Sequence, residues 1–377
     1  MTRVLELSAQ AAGGVRAHIR QVSQLLAKDG HQVLLAGPSN VIFPAPDAVS
    51  GACLRTYQID IGARPSGADL KALRQLKQLA VTVEVIHAHG LRAGALAVLA
   101  AKRIPAAKRP RVVVTLHNLP VGSAPTRLVG KALHLVVVKG ADYVLTVSPD
   151  LLEKAKQLGL KAGEIAVVPA PARGCADYGC MDRATQPEIS QASAQSSDAS
   201  SAAGCDAAPC LLTIARLAPQ KGLDLLLEAA TLIKQRGIDF TWLVAGDGPL
   251  KAQLNQQIAS SSLPVKLLGR REDIGALLSQ ADVVVQTSYW EGQPLTLREA
   301  MQAGRAIVAT DVGGSAYTLA GCGQLVEPQA GPLADAVVAI ISDPKRRETL
   351  EAASRAAVAK IPGETQLREQ LDRVLAL

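Results

Sequence analysis

Aromatic residues make up only 2% of this 377-residue chain, although hydrophobic residues reach 48%. A core with so few rings must be packed from Ala, Val and Leu, as stacked strand–helix units are. The scarcity also excludes a class of partner. Single-stranded nucleic acid is held on aromatic platforms set between basic residues; the cations here have none interleaved, and no helix-turn-helix or zinc-finger spacing appears. No nucleic-acid partner is expected. No apolar run approaches the roughly 20 residues of a bilayer crossing, and the longest candidate, residues 128–138, is interrupted by Lys131 and His134. Residues 4–7 already read as a strand, without a basic start or a long apolar stretch before them, so a cytoplasmic location is expected. D-x-D is absent, as is any other acid cluster at metal-ligand spacing, so no metal is expected. G-x-G-x-x-G is absent too.

Cysteine is sparse and oddly placed. Four of the six, Cys175, Cys180, Cys205 and Cys210, form two C-x4-C pairs around a Ser/Ala/Gln-rich stretch with almost no hydrophobes. Structural zinc sites use closer pairs, so residues 173–209 read as a disordered insert with reduced thiols, with a metal or redox clip as the other reading. The net charge of +7 is uneven. Through Ala172 there are 21 Lys and Arg against 10 Asp and Glu, an excess of +11, while 19 against 23 leave the remainder at −4. A basic half attracts phosphates, acidic glycans or an anionic membrane leaflet.

At this length two domains are the natural division. Short apolar strands alternate with amphipathic helices on both sides of the insert, which predicts parallel, doubly wound sheets. Residues 4–7 lead through Gly13-Gly14 into a helix at 15–28 with Val15, Ile19, Val22 and Leu26 on one face. A glycine turn before a helix N-terminus is a ready anion site. Further strands are predicted at 33–36, 54–59, 83–87, 112–115, 143–147 and 165–168, and beyond the insert at 211–215, 243–245, 265–268, 281–287 and 306–310.

The stretch at 288–304, SYWEGQPLTLREAMQAG, organises the second half. Glu291 stands in a loop just after an apolar strand and Glu299 inside the helix that follows. Pro294 suits that helix's first turn and Gly304 its end. Glu291 and the free N–H groups of Gly292 and Gln293 thus lie at the carboxyl end of a parallel strand, where open α/β sheets bind ligands. A carboxylate there accepts from two adjacent hydroxyls, which a sugar or ribose offers. Arg216 and Lys221, in A-R-L-A-P-Q-K-G, stand after the first strand of the same half and can converge on a diphosphate, the one as a fork and the other as a point charge.

The sequence E-G-x-P-L-x-L-x-E-A-M-x-A-G, followed by a strand and Asp311-Val312-Gly313-Gly314, resembles the E-x7-E signature of glycosyltransferase family 4. That resemblance covers nearly the whole chain except the insert and is strongest over 211–314. It implies an α/β chain of the GT-B fold, two Rossmann-like domains with parallel sheets facing across a cleft. The boundaries are 1–172 for an acceptor domain, 173–209 for the insert and 210–360 for a donor domain, with a final helix near 361–377 returning to the first. It implies a retaining hexosyltransferase whose co-substrate is a UDP- or GDP-linked sugar and which needs no cofactor. Arg216 and Lys221 would neutralise the leaving β-phosphate, and Glu299 would hold the ribose. Glu291 would hold the transferred hexose, with backbone N–H groups from Gly292, Gln293 and Leu295 around Pro294 fixing sugar and phosphate. Gly269 and Arg270 would present backbone to the base, and Gly14 would lie close to the diphosphate. His117, in T-L-H-N at a strand end, occupies the place of the family's cleft histidine and would orient the hexose. His18, His87 and His89 are weaker candidates for acceptor or phosphate contacts. Gln293-Pro294 stands where many members have Phe-Gly, which leaves the hexose open.

The acceptor is open. In the segment 127–139, Leu128, Leu135 and Val138 fall near one side of a helix flanked by Arg127, Lys131 and Lys139. Two readings stand: a peripheral helix that brings the enzyme to an anionic membrane and a lipid or envelope glycan, or the core face of an ordinary α/β helix. A non-catalytic nucleotide-sugar-binding or scaffolding module is the alternative to an enzyme. The joint presence of Arg216, Lys221, Glu291 and Glu299 speaks against it. No lysine context for pyridoxal phosphate appears, which disfavours a phosphorylase.

Overall fold

The computed structural model describes residues 1–11, 13–43, 53–62, 66–118, 124–170 and 208–376, without the side chains of 124–127. The insert at 173–209, with Cys175, Cys180 and Cys205, lies almost wholly outside the described residues. Contacts divide the chain into two units: 1–170 with 291–294 and 362–377, and 171–290 with 295–361.

The first unit begins with β1 (Arg3–Ser8), α1 (Gly14–Lys28), β2 (Gln32–Gly37), β3 (Leu54–Gln58), α2 (Ala68–Ala80), β4 (Val85–His89) and α3 (Leu91–Ala101). It continues with β5 (Arg111–Leu116), α4 (Ala124–Gly140), β6 (Tyr143–Thr146), α5 (Pro149–Gln157) and β7 (Gly163–Ile165). Its seven strands run in the order β3-β2-β1-β4-β5-β6-β7, and every pairing is parallel. The order reverses between β1 and β4, the switch point at whose carboxyl ends such sheets hold ligands. Side chains alternate across a strand. Leu5 and Leu7, with Ile86, Ala88, Val112, Val114 and Leu116, are buried in a core shared with α2, α3 and α4. The opposite parity carries Glu6, His87, His89 and Thr115, in register as Glu6 with His87 and His89 with Thr115.

The second unit holds β8 (Cys210–Ile214), α6 (Leu223–Gln235), β9 (Thr241–Ala245), α7 (Lys251–Ser260), β10 (Val265–Gly269), α8 (Ile274–Gln280) and β11 (Val283–Gln286). Then come α9 (Leu295–Gln302), β12 (Ala306–Thr310), α10 (Ser315–Leu319), β13 (Gln324–Val326), α11 (Ala330–Ile341) and α12 (Pro344–Ala357). The order β10-β9-β8-β11-β12-β13 is again all parallel and puts the switch point between β8 and β11. One sheet face packs with α6 and α11 around Trp242, Leu226 and Val337, and the other with α8 and α9 around Leu277, Leu297 and Met301.

The last helix, α13 (Glu364–Leu375), belongs with the first unit. Gln370 Oε1 accepts from Val167 N at 2.7 Å, Arg111 Nε donates to Val374 O at 2.9 Å, and Arg373 pairs with Glu164 at 2.7 Å. Some details differ from the sequence reading. The strand expected at 165–168 is β7 at Gly163–Ile165, the one expected at 83–87 is β4 at Val85–His89, and Val138 is 2% exposed, on the core side of α4 rather than beside Leu128 and Leu135.

Candidate functional site

In the second unit the predicted cations follow β8 at the switch point. Arg216 is exposed two residues beyond the strand, and Lys221 ends a 3-10 turn, Pro219–Lys221, that leads into α6. This loop is sewn to the one after β11. Thr287 Oγ1 donates to Lys221 O at 2.8 Å, Tyr289 N donates to Gln220 O at 2.9 Å, and Gln220 Nε2 donates to Trp290 O at 2.8 Å. Gly222 makes the approach feasible. Its φ is +59°, and a Cβ there would stand 2.0 Å from Thr287 O, so only glycine fits. Lys221 is therefore set beside the segment running into Glu291. Gly269 closes β10, the exposed Arg270 follows it, and Glu299 lies half-buried in α9, whose first residue is Leu295. Arg298, which the sequence did not single out, is 2% exposed one residue earlier; burial draws its guanidinium down to about 10, so it is cationic at neutral pH.

Residues 291–294 group with the first unit. Gln293 Nε2 donates to Ala166 O at 2.7 Å, and Gly292 lies so close to β6's end that a Cβ would meet Val147 Cγ2 at 2.5 Å. Glu291, Gly292, Gln293 and Pro294 are all buried, Glu291 to 7% exposure. A phenylalanine in place of Gln293 would lack the amide that makes the bond to Ala166. Gly14 is the first residue of α1, with Gly13 as its cap.

His117 follows β5 in the same unit and is 7% exposed. It stands at the end of a buried polar chain. His117 Nε2 lies 3.2 Å from His89 Nδ1, and His89 Nε2 lies 2.7 Å from Glu6 Oε2. Glu6 Oε1 lies 3.0 Å from His87 Nδ1, and His87 Nε2 lies 2.8 Å from Thr115 Oγ1. The ring of His18, from α1, meets those of His89 and His117 edge-on at 5.9 and 5.8 Å. Burial alone would push the Glu6 carboxyl up, but His87 and the hydrogen bonds from His87 and His89 outweigh it and hold the carboxyl down at about 2. Burial, then the neighbouring imidazoles, pull His117 well below the ordinary histidine range, and His89 is lowered chiefly by burial as well. His87 and His89 are thus enclosed with Glu6 in the sheet rather than displayed to an acceptor. Glu6 was missed in the sequence. The available signal was an acid inside the apolar strand V-L-E-L, with H-x-H in another strand.

Among the described residues, Glu6, His87 and His89 are the one group whose ligand-type atoms all lie within 4.8 Å of one another. Each carboxylate oxygen already sits at hydrogen-bond distance from a histidine nitrogen, so an ion would have to displace both bonds. Two atoms on one tetrahedral zinc, with bonds of about 2.0–2.1 Å, stand about 3.3 Å apart, wider than the 2.7 and 3.0 Å found.

Residues 13–171 match the family described as "Glycosyl transferase 4-like domain" and residues 208–343 the one described as "Glycosyl transferases group 1". The chain is 33% identical over 154 residues to alpha-D-kanosaminyltransferase of Streptomyces kanamyceticus, covering 39% of this chain and 40% of that protein. It thus spans less than half the length of the first curated relatives it matches. A longer match, 28% identical over 92% of this chain and 89% of the other, is to phosphatidyl-myo-inositol mannosyltransferase of Mycobacterium tuberculosis. In three dimensions it resembles Anabaena HepE in complex with UDP and glucose, with a TM-score of 0.75, 20% identity and full coverage of both chains. It also resembles sucrose-phosphate synthase of Thermosynechococcus elongatus, with a TM-score of 0.76, 20% identity and coverage of 100% and 98%. With a parallel, doubly wound sheet in each unit and a glycosyltransferase match on each, the chain belongs to the family-4-like glycosyltransferases of the GT-B fold.

Proposed function

We propose that the protein is a retaining glycosyltransferase that moves a hexose from a UDP- or GDP-linked donor to a hydroxyl of a lipid or cell-envelope glycan. The observation that carries this reading is the loop 215–222, whose two cations stand at the switch point and whose backbone is bonded to the segment entering Glu291. In the reaction the acceptor oxygen bonds to the anomeric carbon on the face the diphosphate leaves. The carbon–oxygen bond to the β-phosphate breaks with its electron pair, and that phosphate takes the acceptor's proton. Arg216 and Lys221 stabilise the charge developing on the phosphate, a preorganised electrostatic role, so the chemistry needs no divalent ion. Glu299 accepts from the donor ribose hydroxyls and Glu291 from the hexose. Backbone N–H groups near Gly292 and Leu295, with Gly269, Arg270 and Gly14, complete the donor contacts, and His117 orients the sugar.

The UDP and UDP-glucose bound by Anabaena HepE favour a uridine donor. The mycobacterial relative's name points to a lipid acceptor, and so does an Escherichia coli relative, 27% identical, named for a diphosphoundecaprenol acceptor. Among the described residues no helix is long and apolar enough to cross a membrane. Leu128 and Leu135, 70% and 39% exposed on α4 beside the exposed Lys131 and Lys139, support peripheral contact with anionic lipid. A thermal-shift screen with UDP-glucose, GDP-mannose and ADP-glucose, followed by donor hydrolysis in EDTA, tests the reading. A shift with slow hydrolysis supports it, whereas binding with no turnover under any acceptor makes the chain a non-catalytic sugar-nucleotide module.

A further inference from the structure

The face of the first unit's sheet opposite Leu5 and Leu7 carries, among buried valines, a chain of hydrogen bonds whose proton positions follow from its geometry. Glu6 is fully enclosed, with His87 Nδ1 at 3.0 Å from one carboxylate oxygen and His89 Nε2 at 2.7 Å from the other. An ionised carboxylate only accepts, so both nitrogens carry protons. His89 is held neutral by its burial, and a neutral imidazole has one N–H. Its Nδ1 is therefore bare, and His117 Nε2, 3.2 Å away, must be the donor between them. His117 is buried and neutral as well, which leaves its Nδ1 bare in turn.

We propose that Glu6, acting through His89, is a positioning residue for His117: it fixes the His117 proton on Nε2, so that Nδ1 can only accept and the group it takes from a substrate is a hydroxyl that donates. The proposal rests on the reading of His117 as a site residue and adds to it a source of order 111 residues away in sequence. The three strands make it feasible. Parallel pairing of β1 with β4 and of β4 with β5 sets Glu6 beside His87 and His89 beside Thr115, and the Thr115 hydroxyl, 2.8 Å from His87 Nε2, closes the far end of the chain. The consequence is a specificity rule. A sugar whose hydroxyl at this place is removed or methylated offers Nδ1 no donor, whereas one that keeps it is held.

The proton positions can be read directly by 15N NMR of histidine-labelled, full-length protein at pH 7.5, each signal assigned by its loss in a single His→Gln variant. The expected pattern is a protonated Nε2 and bare Nδ1 at both His117 and His89, with a protonated Nδ1 at His87. A reversed or averaged His117, or stoichiometric zinc in the purified protein, overturns the proposal. Hydrolysis of a UDP-glucose, GDP-mannose and ADP-glucose mixture gives the functional side. His89→Gln keeps both links, since its amide N–H donates to Glu6 and its carbonyl accepts from His117, and should retain the larger part of the rate and the His117 pattern. His89→Leu keeps neither and should lose about tenfold or more, the worth of a buried charged hydrogen bond, along with the fixed tautomer. Equal rates in the two variants contradict the proposal. Full activity of His117→Ala overturns instead the reading of His117 as a site residue. A reversed tautomer beside an inactive His117→Ala overturns the Glu6 relay alone.

Discussion

The hydroxyl of Thr287 donates to the backbone oxygen of Lys221 at 2.8 Å, joining the loop after β8 to the loop after β11 across the second unit's switch point. The two residues are 66 apart in sequence, and the bond decides where the lysine's main chain lies. Gly222, whose missing Cβ leaves room for Thr287 O, keeps that contact possible. Gly222→Ala should therefore move the loop and destabilise the second unit by about 1–3 kcal/mol, the scale of strain at such a position. Thr287→Val, which loses only the bond, should cost about 1 kcal/mol. Urea unfolding measures both, and an alanine variant as stable as the parent would mean that the loops are not held together as described.

Glu299 offers a test on the donor side. Its carboxylate, half-buried in α9, is assigned to two ribose hydroxyls, and charged hydrogen bonds are worth roughly 1.5–3 kcal/mol. Glu299→Ala should weaken UDP or GDP binding about tenfold or more in a calorimetric titration. Unchanged affinity would remove Glu299 from the site.

Acid should unfold the first unit through the Glu6 chain. The folded Glu6 carboxyl lies at about 2 against an ordinary 4.5, so its contribution is complete above about pH 4.5 and is lost as pH falls toward 2. His89 and His117 are lowered from 6.5 in the fold, so the unfolded chain takes their protons first, and stability also declines as pH drops below about 6.5. The groups facing them are Glu6, His18, His87 and Thr115, and both effects have the same sign. Unfolding midpoints should fall steadily from pH 7.5 to 4, and His117→Gln should flatten the part between 6.5 and 5. A midpoint that rises on acidification over that range would show that the imidazoles are charged in the fold.

The membrane proposal depends on α4. Vesicles containing phosphatidylglycerol should co-sediment the protein more than phosphatidylcholine vesicles at low salt, and Leu128→Asp with Leu135→Asp should abolish the difference. Both residues are exposed, so the substitutions should leave the melting temperature nearly unchanged. No anionic preference at low salt would favour a soluble acceptor.

Much of this architecture was legible because each strand is a short apolar run and each helix shows its own period. The apolar run 112–115 marks β5, which spans Arg111–Leu116, and the helical period over 15–28 marks α1, which spans Gly14–Lys28. Short helices such as α8 and α10 were not foreseen, since five to seven residues carry too little periodicity. The pattern groups Val138 with Leu128 and Leu135 because a helix only partly covered by the core gives an ambiguous stripe, and of the three Val138 alone is buried. The Glu6 chain was illegible for a different reason. Its bonds join residues 28 to 83 apart, and only the order and register of β1, β4 and β5 bring them together. The E-x7-E motif was visible because it is local, whereas the bond from Gln293 to Ala166, 127 residues away, was not.

The most direct measurement of the central claim is release of nucleoside diphosphate in EDTA from UDP-glucose, GDP-mannose and ADP-glucose, by the parent protein and by Arg216→Ala with Lys221→Ala. The account predicts turnover of at least one donor by the parent without added metal. It predicts a loss of about 100-fold or more in the double variant, the scale set by removing preorganised electrostatic stabilisation, with the melting temperature preserved. Turnover that requires magnesium or manganese, or a double variant as fast as the parent, would contradict it.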